Sequence, residues 1–266
     1  MKNLYTSFET ILKIALEAAV KGGNILKANA DKAKNLYTKE SLRDVVTSAD
    51  VASQKEIIKI LKSYEGKYKI VSEEKENLNI ERNGTYWVVD PLDGTANYIN
   101  NIQICAVSIA FVFKGKPVVG VIFNPFTNEL FYGTKGLGAY RNQQKIKVSL
   151  KDPKQFLYAI SFSGKGYLSQ AERKKEFLEF GRINDETMGC LRTGSAAINL
   201  AYLAKGSLGG CWSRASKWWD VAAGLLLVEL AGGDTKWRFL NKNDWLVSYS
   251  AGASPLSNNL ISKNNL

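Results

Sequence analysis

Two aspartates, Asp90 and Asp93, stand three residues apart and are followed directly by glycine and threonine at residues 94–95. The apolar run over residues 86–89 predicts a buried strand, because β-branched and aromatic side chains cluster there. Pro91 cannot donate a hydrogen bond to a sheet, so we expect the strand to end at Asp90. A tight turn would explain an aspartate and a glycine here without any function. The positions of the other carboxylates in the chain distinguish a structural turn from a functional site.

Further carboxylates stand at the boundaries of other predicted elements. Asp50 and Asp220 each begin a predicted helix, and Glu73 and Glu74 end a predicted strand. Taken singly, the aspartates can be N-caps and the glutamates a solvated turn. Taken jointly with the pair at 90 and 93, they indicate a site, because α/β folds gather their sites at strand ends and helix starts.

Carboxylates that converge in a folded protein need bound cations or protons. Two like charges about 4 Å apart repel by roughly 4 kcal/mol at an effective dielectric of 20. The chain has no histidine, which excludes a Ser-His-Asp triad, phosphohistidine chemistry and histidine metal ligands. Oxygen ligands alone favour Mg²⁺, with Mn²⁺ or Ca²⁺ as alternatives. The spacing of an EF-hand fails, since Asn97, Tyr98 and Ile99 do not supply its ligands.

Gly94 and Thr95 suit a phosphate group beside such metals. A glycine lets the backbone approach a ligand closely, and N–H groups at a helix start hold a phosphate well. Carboxylates that bind Mg²⁺ next to such N–H groups predict the hydrolysis of a phosphate ester by a metal-activated water.

The composition limits the remaining possibilities. The 266 residues are 45% hydrophobic and carry a net charge of +11, but the lysines are spread along the chain, which disfavours a nucleic-acid role. The scattered cysteines lack CxxC spacing, which favours a reducing cytoplasm over disulfides or a zinc site; they are Cys105, Cys190 and Cys211. We expect no signal peptide and no membrane span, because charges interrupt the N-terminal apolar residues and the longest apolar run is short.

The periodicity of apolar residues predicts a mixed α/β chain with antiparallel-looking strands packed in layers. The predicted helices cover residues 4–19, 50–61, 170–180, 194–204 and 220–230, and the predicted strands cover residues 68–72, 86–89, 105–113, 118–124, 129–134 and 157–162. A turn is predicted over residues 136–142. A seam near residues 151–154 would divide an N-terminal half, residues 1–150, which holds most of the metal ligands, from a C-terminal half, residues 151–266, within one compact unit.

At these motifs the sequence resembles the inositol monophosphatase family over nearly its whole length. Residues 87–98 (WVVDPLDGTANY) resemble the signature W-x-x-D-P-[IL]-D-G-T-x-N-[FY], and residues 219–224 (WDVAAG), continuing to residues 231–233, resemble the second signature. Residues 44–50, 71–74 and 194–197 match further motifs in family order. The resemblance implies a layered αβαβα sugar-phosphatase fold and Mg²⁺-dependent hydrolysis of phosphomonoesters without a covalent phosphoenzyme.

The resemblance also implies a set of metal ligands. Glu73, Asp90 and the carbonyl of Leu92 would bind the first ion, and Asp90, Asp93 and Asp220 the second. Glu73 would serve a weaker third ion. Two or three Mg²⁺ ions are therefore expected, with Mn²⁺ as a possible substitute.

The remaining catalytic roles fall on neighbours of these ligands. The resemblance implies that Thr95 and Glu73 orient the attacking water, that Asp50 hydrogen-bonds Thr95, and that the N–H groups of Gly94 and Thr95 hold the phosphate. Such enzymes are usually homodimers and often lithium-sensitive. Residues 37–43 are a candidate lid over the metals, as such loops often are.

Substrate recognition departs from the family pattern. Inositol-specific members usually carry a glutamate seven residues before the Trp-Asp aspartate, where this chain has Ser213. Arg214 and Lys217 add positive charge nearby, which favours a substrate with extra anionic character unless both merely face solvent. The other residues that the family motifs assign to the substrate are Gly194, Ser195 and Ala196.

The leading hypothesis is therefore a metal-dependent phosphatase acting on inositol monophosphate or a related sugar or nucleotide phosphate. Fructose-1,6-bisphosphatase and 3′-phosphoadenosine 5′-phosphate phosphatase activities are alternatives within the family. A regulatory protein that binds RNA or a transcription partner is the alternative of another class. A calcium-stabilised structural protein would leave residues 94–95 unexplained.

Overall fold

Two β-sheets carry the fold, and helices lie on and between them. The computed structural model describes residues 2–30, 36–38, 45–63, 68–73, 80–241 and 244–262. Within these ranges, β1 (Leu36–Thr38) and β2 (Val45–Thr47) form a small antiparallel pair. Glu74, Asp44 and residues 39–43 of the predicted lid lie outside the described residues.

The larger sheet has seven described strands, placed in chain order across the sheet. They are β3 (Lys69–Ser72), β4 (Tyr86–Asp93), β5 (Ala106–Phe113), β6 (Lys116–Asn124), β7 (Glu129–Thr134), β8 (Gly138–Arg141) and β9 (Gln144–Lys145). β3 and β4 run parallel, and every later neighbouring pair runs antiparallel.

The smaller sheet is mixed and has the order β11-β10-β12-β14-β13 in the described part of the chain. Its strands are β10 (Leu157–Ile160), β11 (Gly189–Leu191), β12 (Gly210–Lys217), β13 (Asp234–Phe239) and β14 (Leu246–Gly252). β10 runs parallel to both β11 and β12, whereas β14 is antiparallel to β12 and β13. The carboxyl ends of β11, β10 and β12 therefore lie along one edge of this sheet.

The helices are α1 (Lys2–Asn29), α2 (Ser48–Ser63), α3 (Thr95–Ile99), α4 (Gln170–Glu186), α5 (Ala196–Ala204), α6 (Trp218–Leu230) and α7 (Pro255–Ser262). Across the described ranges, no helix combines the length and the apolar character needed to cross a lipid bilayer.

Alternate side chains of β4 show how the layers form. Successive residues of a strand point to opposite faces of its sheet. Trp87 and Val89 pack with the apolar faces of α1 and α2, whereas Tyr86 and Val88 pack with α5 and α6 on the other face. Both faces of the larger sheet are therefore covered by helices, which explains why β4 is buried along its whole length.

The smaller sheet completes the stack. Val247 and Tyr249 of β14 join the same core as α5 and α6, so these helices lie between the two sheets. On the outer face, Trp212 of β12 packs with Ile183 of α4 and Ile261 of α7. The order α1/α2, larger sheet, α5/α6, smaller sheet, α4/α7 confirms the predicted αβαβα sandwich. The central core draws on residues before and after 150, and the division of the chain at that point stays a prediction.

The prediction that the first motif strand ends at Asp90 was wrong. β4 continues through Pro91 to Asp93, and its pairing with β5 shifts register between Asp90 and Asp93. Three steps along β4 there match two steps along β5, from Ser108 to Ala106. Such a bulge leaves one residue unpaired, which is where a strand tolerates a proline.

Other boundaries also differ from the predictions. Helices α2 and α6 begin two residues before Asp50 and Asp220, so each aspartate lies in a first turn instead of starting its helix. The predicted turn over residues 136–142 contains strand β8. Strands β12, β13 and β14 were not predicted, although residues 236–239 and 247–251 alternate polar and apolar side chains as strands do. The remaining predicted elements are confirmed, several with longer or shorter bounds.

Close packing of α6 on the larger sheet leads to a test of the central layer. A Cβ atom at Gly120 of β6 would lie 2.8 Å from the carbonyl oxygen of Ala223 and 3.2 Å from its Cα atom. Because backbone atoms of α6 cannot move aside cheaply, Gly120→Ala should destabilise the protein by about 1–3 kcal/mol. The matched control is Gly181→Ala in α4, where nothing lies within 4 Å of the added methyl group and alanine favours the helix by about 1 kcal/mol. Urea unfolding of both variants should give changes of opposite sign, and equal changes would contradict the packing.

Candidate active site

The bulge in β4 turns Asp90 and Asp93 toward the same region. In a regular strand, the side chains of residues three apart point to opposite faces of the sheet. The one unpaired residue of the bulge changes this alternation, so that Asp90 and Asp93 point to the same side. Both side chains are at most 8% exposed. The backbone N–H of Leu92 donates to Oδ1 of Asp90 at 2.9 Å, which fixes that carboxylate within the bulge.

The first turn of α6 brings a third carboxylate. Asp220 accepts from the backbone N–H of Lys217 at 3.3 Å and from the hydroxyl of Ser216 at 3.4 Å, which orients it at the helix start. Carboxylate oxygens of Asp90, Asp93 and Asp220 all lie within 4.8 Å of one another. An N-terminus favours negative charge, but it cannot offset three carboxylates at this separation.

Glu73 lies beside this cluster because β3 is parallel to β4. Ser72 is the register partner of Val89, and the N–H of Glu73 donates to the carbonyl of Val89 at 3.3 Å. The next residue of β4 is Asp90, so the end of β3 delivers Glu73 to the same edge. The side chain of Ser72 is buried and donates to Oε1 of Gln54 on α2, which ties the end of β3 to that helix.

Burial and mutual repulsion raise the pKa values of the clustered carboxylates. Burial is the main cause for Asp90, whose pKa also rises because of Glu73, Asp220 and Asp93. Burial likewise raises the pKa of Asp220, with Asp93 and Glu73 adding to it. The pKa of Asp93 rises to about 6 because of burial, although hydrogen bonds from Ser195 and the N–H of Ala197 oppose the rise.

The start of α5 holds the carboxylate of Asp93. The hydroxyl of Ser195 and the N–H of Ala197, at 2.7 Å, both donate to Oδ2 of Asp93. The same hydroxyl accepts from the N–H of Ile198 at 3.2 Å and so caps the helix. Ser195 was predicted to contact substrate, but it is 1% exposed. Its contacts favour a different role, which is to position the carboxylate of Asp93.

Thr95 connects the bulge of β4 to Asp50 of α2. Oγ1 of Thr95 is 3.1 Å from the carbonyl oxygen of Leu92 and 3.4 Å from Oδ1 of Asp50. A hydroxyl has one proton, so Thr95 donates to one of these acceptors at a time. Asp50 is buried in the first turn of α2.

Gly94 forms the sharp turn from β4 into α3. Its φ of 93° lies in the left-handed region, which a glycine adopts without steric cost. An added Cβ atom would also lie 2.8 Å from the carbonyl oxygen of Ile104. Glycine at this position therefore lets the chain reverse directly behind Asp93 and expose the start of α3.

These side chains face one open cavity of about 530 Å³. Its lining includes the predicted residues Glu73, Asp90, Leu92, Asp93, Gly94, Thr95, Gly194, Ala196, Lys217 and Asp220. Ser195, Ser213 and Arg214 were also predicted to bind substrate and are not among the lining residues. Asp50 does not line the cavity either, and it contacts the lining residue Thr95.

Two of the predicted substrate contacts lie away from the cavity lining. Arg214 donates to Glu179 of α4 through Nε at 3.1 Å and also through Nη2, so its charge is directed away from the cavity toward the outer layer. Ser213 is fully buried within β12. The expectation that Arg214 adds charge beside the substrate is therefore corrected.

Several lining residues had no predicted role. Lys165 belongs to the segment after β10, and Arg192 follows β11 directly. Asn97 donates to the carbonyl oxygens of Ile104 and Thr193 at 2.7 and 2.8 Å and links the two sheets at the cavity. An isolated lysine or arginine on a loop carries no periodic signal, and only its position after parallel strands would have indicated a site.

The donor atoms fit a hard divalent cation. The cluster offers carboxylate and carbonyl oxygens, with no histidine anywhere in the chain, and Mg²⁺ prefers such ligands. The raised pKa values support this fit, since a group of carboxylates that must otherwise hold protons gains most from a bound cation.

Comparisons with known proteins agree with this geometry. The model of the inositol monophosphatase family matches residues 7–263. An inositol-1-monophosphatase of Rhizobium meliloti is 32% identical over 247 residues, which cover 92% of this chain and 88% of the relative. A fructose-1,6-bisphosphatase/inositol-1-monophosphatase of Aquifex aeolicus and the Nus factor SuhB of Escherichia coli are each 35% identical, and each match covers 84% of this chain and 83% of the relative.

A solved structure has the same fold. The inositol monophosphatase of Anabaena (Nostoc) sp. superposes with a TM-score of 0.80 at 33% identity, covering 96% of this chain and 95% of its own.

The raised pKa values lead to a test of the acidic cluster. Burial raises the pKa of Asp93 to about 6, so the native state keeps on this carboxylate a proton that the unfolded chain releases near pH 4. The stability contributed by that proton is full below about pH 4 and is lost as pH rises through about 6, and the raised pKa values of Asp90 and Asp220 act in the same direction. Mg²⁺ competes with the same protons, so it should raise Tm more at pH 8 than at pH 5. At a concentration of 100 Kd the gain is about 2.7 kcal/mol.

Thermal unfolding at both pH values, with Mg²⁺ or with NaCl of equal ionic strength, measures this difference. The metal-free protein should melt lower at pH 8 than at pH 5, because the clustered carboxylates lose their protons over this range. An equal Mg²⁺ effect at the two pH values would contradict metal binding by the buried carboxylates.

Proposed function

Because the chain belongs to the inositol monophosphatase family, we propose that it uses Mg²⁺ to hydrolyse a small phosphomonoester. Membership of the family makes the protein a phosphatase that acts on small phosphorylated substrates. The proposal concerns the metal, its ligands and the substrate. The observation that carries it is the approach of the Asp90, Asp93 and Asp220 carboxylates to within 4.8 Å of one another at a cavity.

The proposed metal ligands are those with oxygen atoms at this cluster. Glu73, Asp90 and the Leu92 carbonyl would hold one Mg²⁺, and Asp90, Asp93 and Asp220 a second, with Glu73 serving a weaker third. Mn²⁺ is a plausible substitute because it accepts the same ligands. Bound there, the metal would polarise a phosphate oxygen and lower the pKa of a water molecule.

The protein's own groups would position the reactants. When the Thr95 hydroxyl donates its proton to Leu92 or to Asp50, its lone pairs can accept a hydrogen bond from the attacking water. The N–H groups of Gly94 and Thr95, at the turn into α3, would hold the phosphate. Ser195 and Ala197 would keep Asp93 in place through their hydrogen bonds to its Oδ2.

The substrate we propose is inositol monophosphate or a related sugar or nucleotide phosphate. Gly194, Ala196 and Lys217 line the cavity beside the acidic cluster and would contact the substrate. Fructose 1,6-bisphosphate and 3′-phosphoadenosine 5′-phosphate are the alternatives, and the Aquifex aeolicus relative is a fructose-1,6-bisphosphatase/inositol-1-monophosphatase.

We further propose a cytoplasmic homodimer. The three cysteines are free, in keeping with a reducing compartment. The dimer is implied by the family alone, and light scattering of the purified protein tests it by mass.

A regulatory role is the second candidate, because a relative that is 35% identical is a Nus factor. The net charge of +11 would suit a nucleic-acid partner, although the spread of the lysines disfavours one. This role predicts function without catalysis, so a variant that stops hydrolysis separates the two candidates.

Asp93→Asn is that variant. We expect it to lower kcat for inositol 1-phosphate by at least about 100-fold, because the second metal loses an anionic ligand. Asparagine can still accept from Ser195 and Ala197, and it removes a buried charge, so Tm in a chelator at pH 7.5 should match or exceed that of the unchanged protein. The matched control is Asp185→Asn, an exposed position on α4, which should keep full activity.

Phosphate release with Mg²⁺ and with a chelator provides the measurement. The compounds are inositol 1-phosphate, fructose 1,6-bisphosphate, 3′-phosphoadenosine 5′-phosphate, histidinol phosphate and NADP. Equal turnover in both conditions would contradict metal dependence. Unchanged turnover of Asp93→Asn would remove that residue from the proposed metal ligands.

A further inference from the structure

Three cationic side chains line the cavity beside the acidic cluster. Lys165 follows β10, Arg192 follows β11, and Lys217 is the last residue of β12. Because β10 runs parallel to both β11 and β12, the three cations come from the carboxyl ends of adjacent strands. That edge of an open parallel sheet is where ligands commonly bind.

The loop that carries Lys165 is anchored close to that residue. The N–H and the hydroxyl of Ser163 both donate to Oε1 of Glu176, at 3.0 and 2.7 Å. The Ser163 hydroxyl also accepts from the N–H of Ala215 at 3.0 Å. Glu176 is 0% exposed, so a buried carboxylate of α4 fixes the loop two residues before the lysine.

Lys217 is held by aromatic rings. Its Nζ atom lies 5.0 Å from the ring centre of Tyr167 and 5.3 Å from that of Trp219, within the range of a cation–π contact. Tyr167 also lines the cavity. The two rings therefore hold the ammonium group of Lys217 in position. The side chains of Lys165 and Arg192 are exposed to solvent.

The charges exceed what a single phosphate requires. Four lining carboxylates, Glu73, Asp90, Asp93 and Asp220, would be balanced by about two divalent cations. The three cations would then remain, facing a phosphomonoester that carries about −1.5 to −2. A second phosphate on the substrate would bring its charge close to the number of available donors.

We propose that Lys165, Arg192 and Lys217 form a subsite for a second phosphate, so that the enzyme prefers a bisphosphate over the monophosphate of the same alcohol. The inference rests on the proposed phosphatase function. The cavity volume of about 530 Å³ is within the range that holds a ligand much larger than one phosphate.

Two matched pairs of compounds isolate the second phosphate. They are fructose 1,6-bisphosphate with fructose 1-phosphate, and 3′-phosphoadenosine 5′-phosphate with adenosine 3′-monophosphate. In one pair or both, kcat/KM should be about 10- to 100-fold higher for the bisphosphate. The pair that responds separates a sugar from a nucleotide substrate.

The variants Lys165→Gln, Arg192→Gln and Lys217→Gln should each lower the ratio of the two kcat/KM values about tenfold. Lys174→Gln on the exposed side of α4 is the matched control and should leave the ratio unchanged. Equal losses for both members of each pair would overturn the subsite while leaving the phosphatase function intact.

A labelling experiment tests the subsite without turnover. With Mg²⁺ present, the bisphosphate should protect Lys165 and Lys217, but not Lys174, from reductive methylation read by mass spectrometry, and the monophosphate should protect them less. Equal protection by both compounds would overturn the subsite. Failure to hydrolyse every compound, inositol 1-phosphate included, would contradict the proposed function, and protection by the bisphosphate in that case would still support the subsite.

Discussion

The repulsion among buried and half-buried carboxylates is the constraint on which the rest of this structure depends. Asp90, Asp93 and Asp220 approach one another within 4.8 Å, where like charges strongly disfavour full ionisation. Only part of that cost is offset within the protein, by hydrogen bonds from Leu92, Ser195, Ala197 and Lys217. Protons or cations must supply the remainder. The fold therefore places carboxylates that need protons or cations at a cavity open to solvent.

Each layer of the sandwich contributes to this arrangement in a different way. The larger sheet supplies Asp90 and Asp93 through a bulge and Glu73 through a parallel neighbour. The central helices α5 and α6 supply donors and a third aspartate from their first turns. Because these helices pack between two sheets, their starts cannot move without disturbing both cores. Rigid elements thus hold groups that would otherwise separate to relieve their repulsion.

The sequence predicted much of this, and the misses have physical causes. Apolar residues at helical spacing predicted α1, and apolar runs between turns predicted the strands from β5 to β7. Two motifs identified the acidic residues. Arg214 was assigned to the substrate because a sequence does not show where a charged side chain points. Its partner Glu179 lies 35 residues away in the chain. The bulge at Pro91 was missed because a proline ends most strands but is accommodated at an unpaired residue. The cations at residues 165 and 192 converge only through the order of strands in the smaller sheet.

The energetics of the acidic cluster also bear on the choice between catalysis and regulation. A protein that only bound a macromolecular partner would be more stable with a neutral residue in place of Asp93, whose buried carboxyl has a pKa raised to about 6. The hydrogen bonds from Ser195 and Ala197 would survive that replacement, so packing alone does not require the charge. A cluster that costs stability in the absence of cations is useful only where cations bind. One site for a metal and a phosphorylated ligand therefore best explains three features. These are the acidic residues, the glycine turn that follows them, and the cations at the carboxyl ends of β10, β11 and β12.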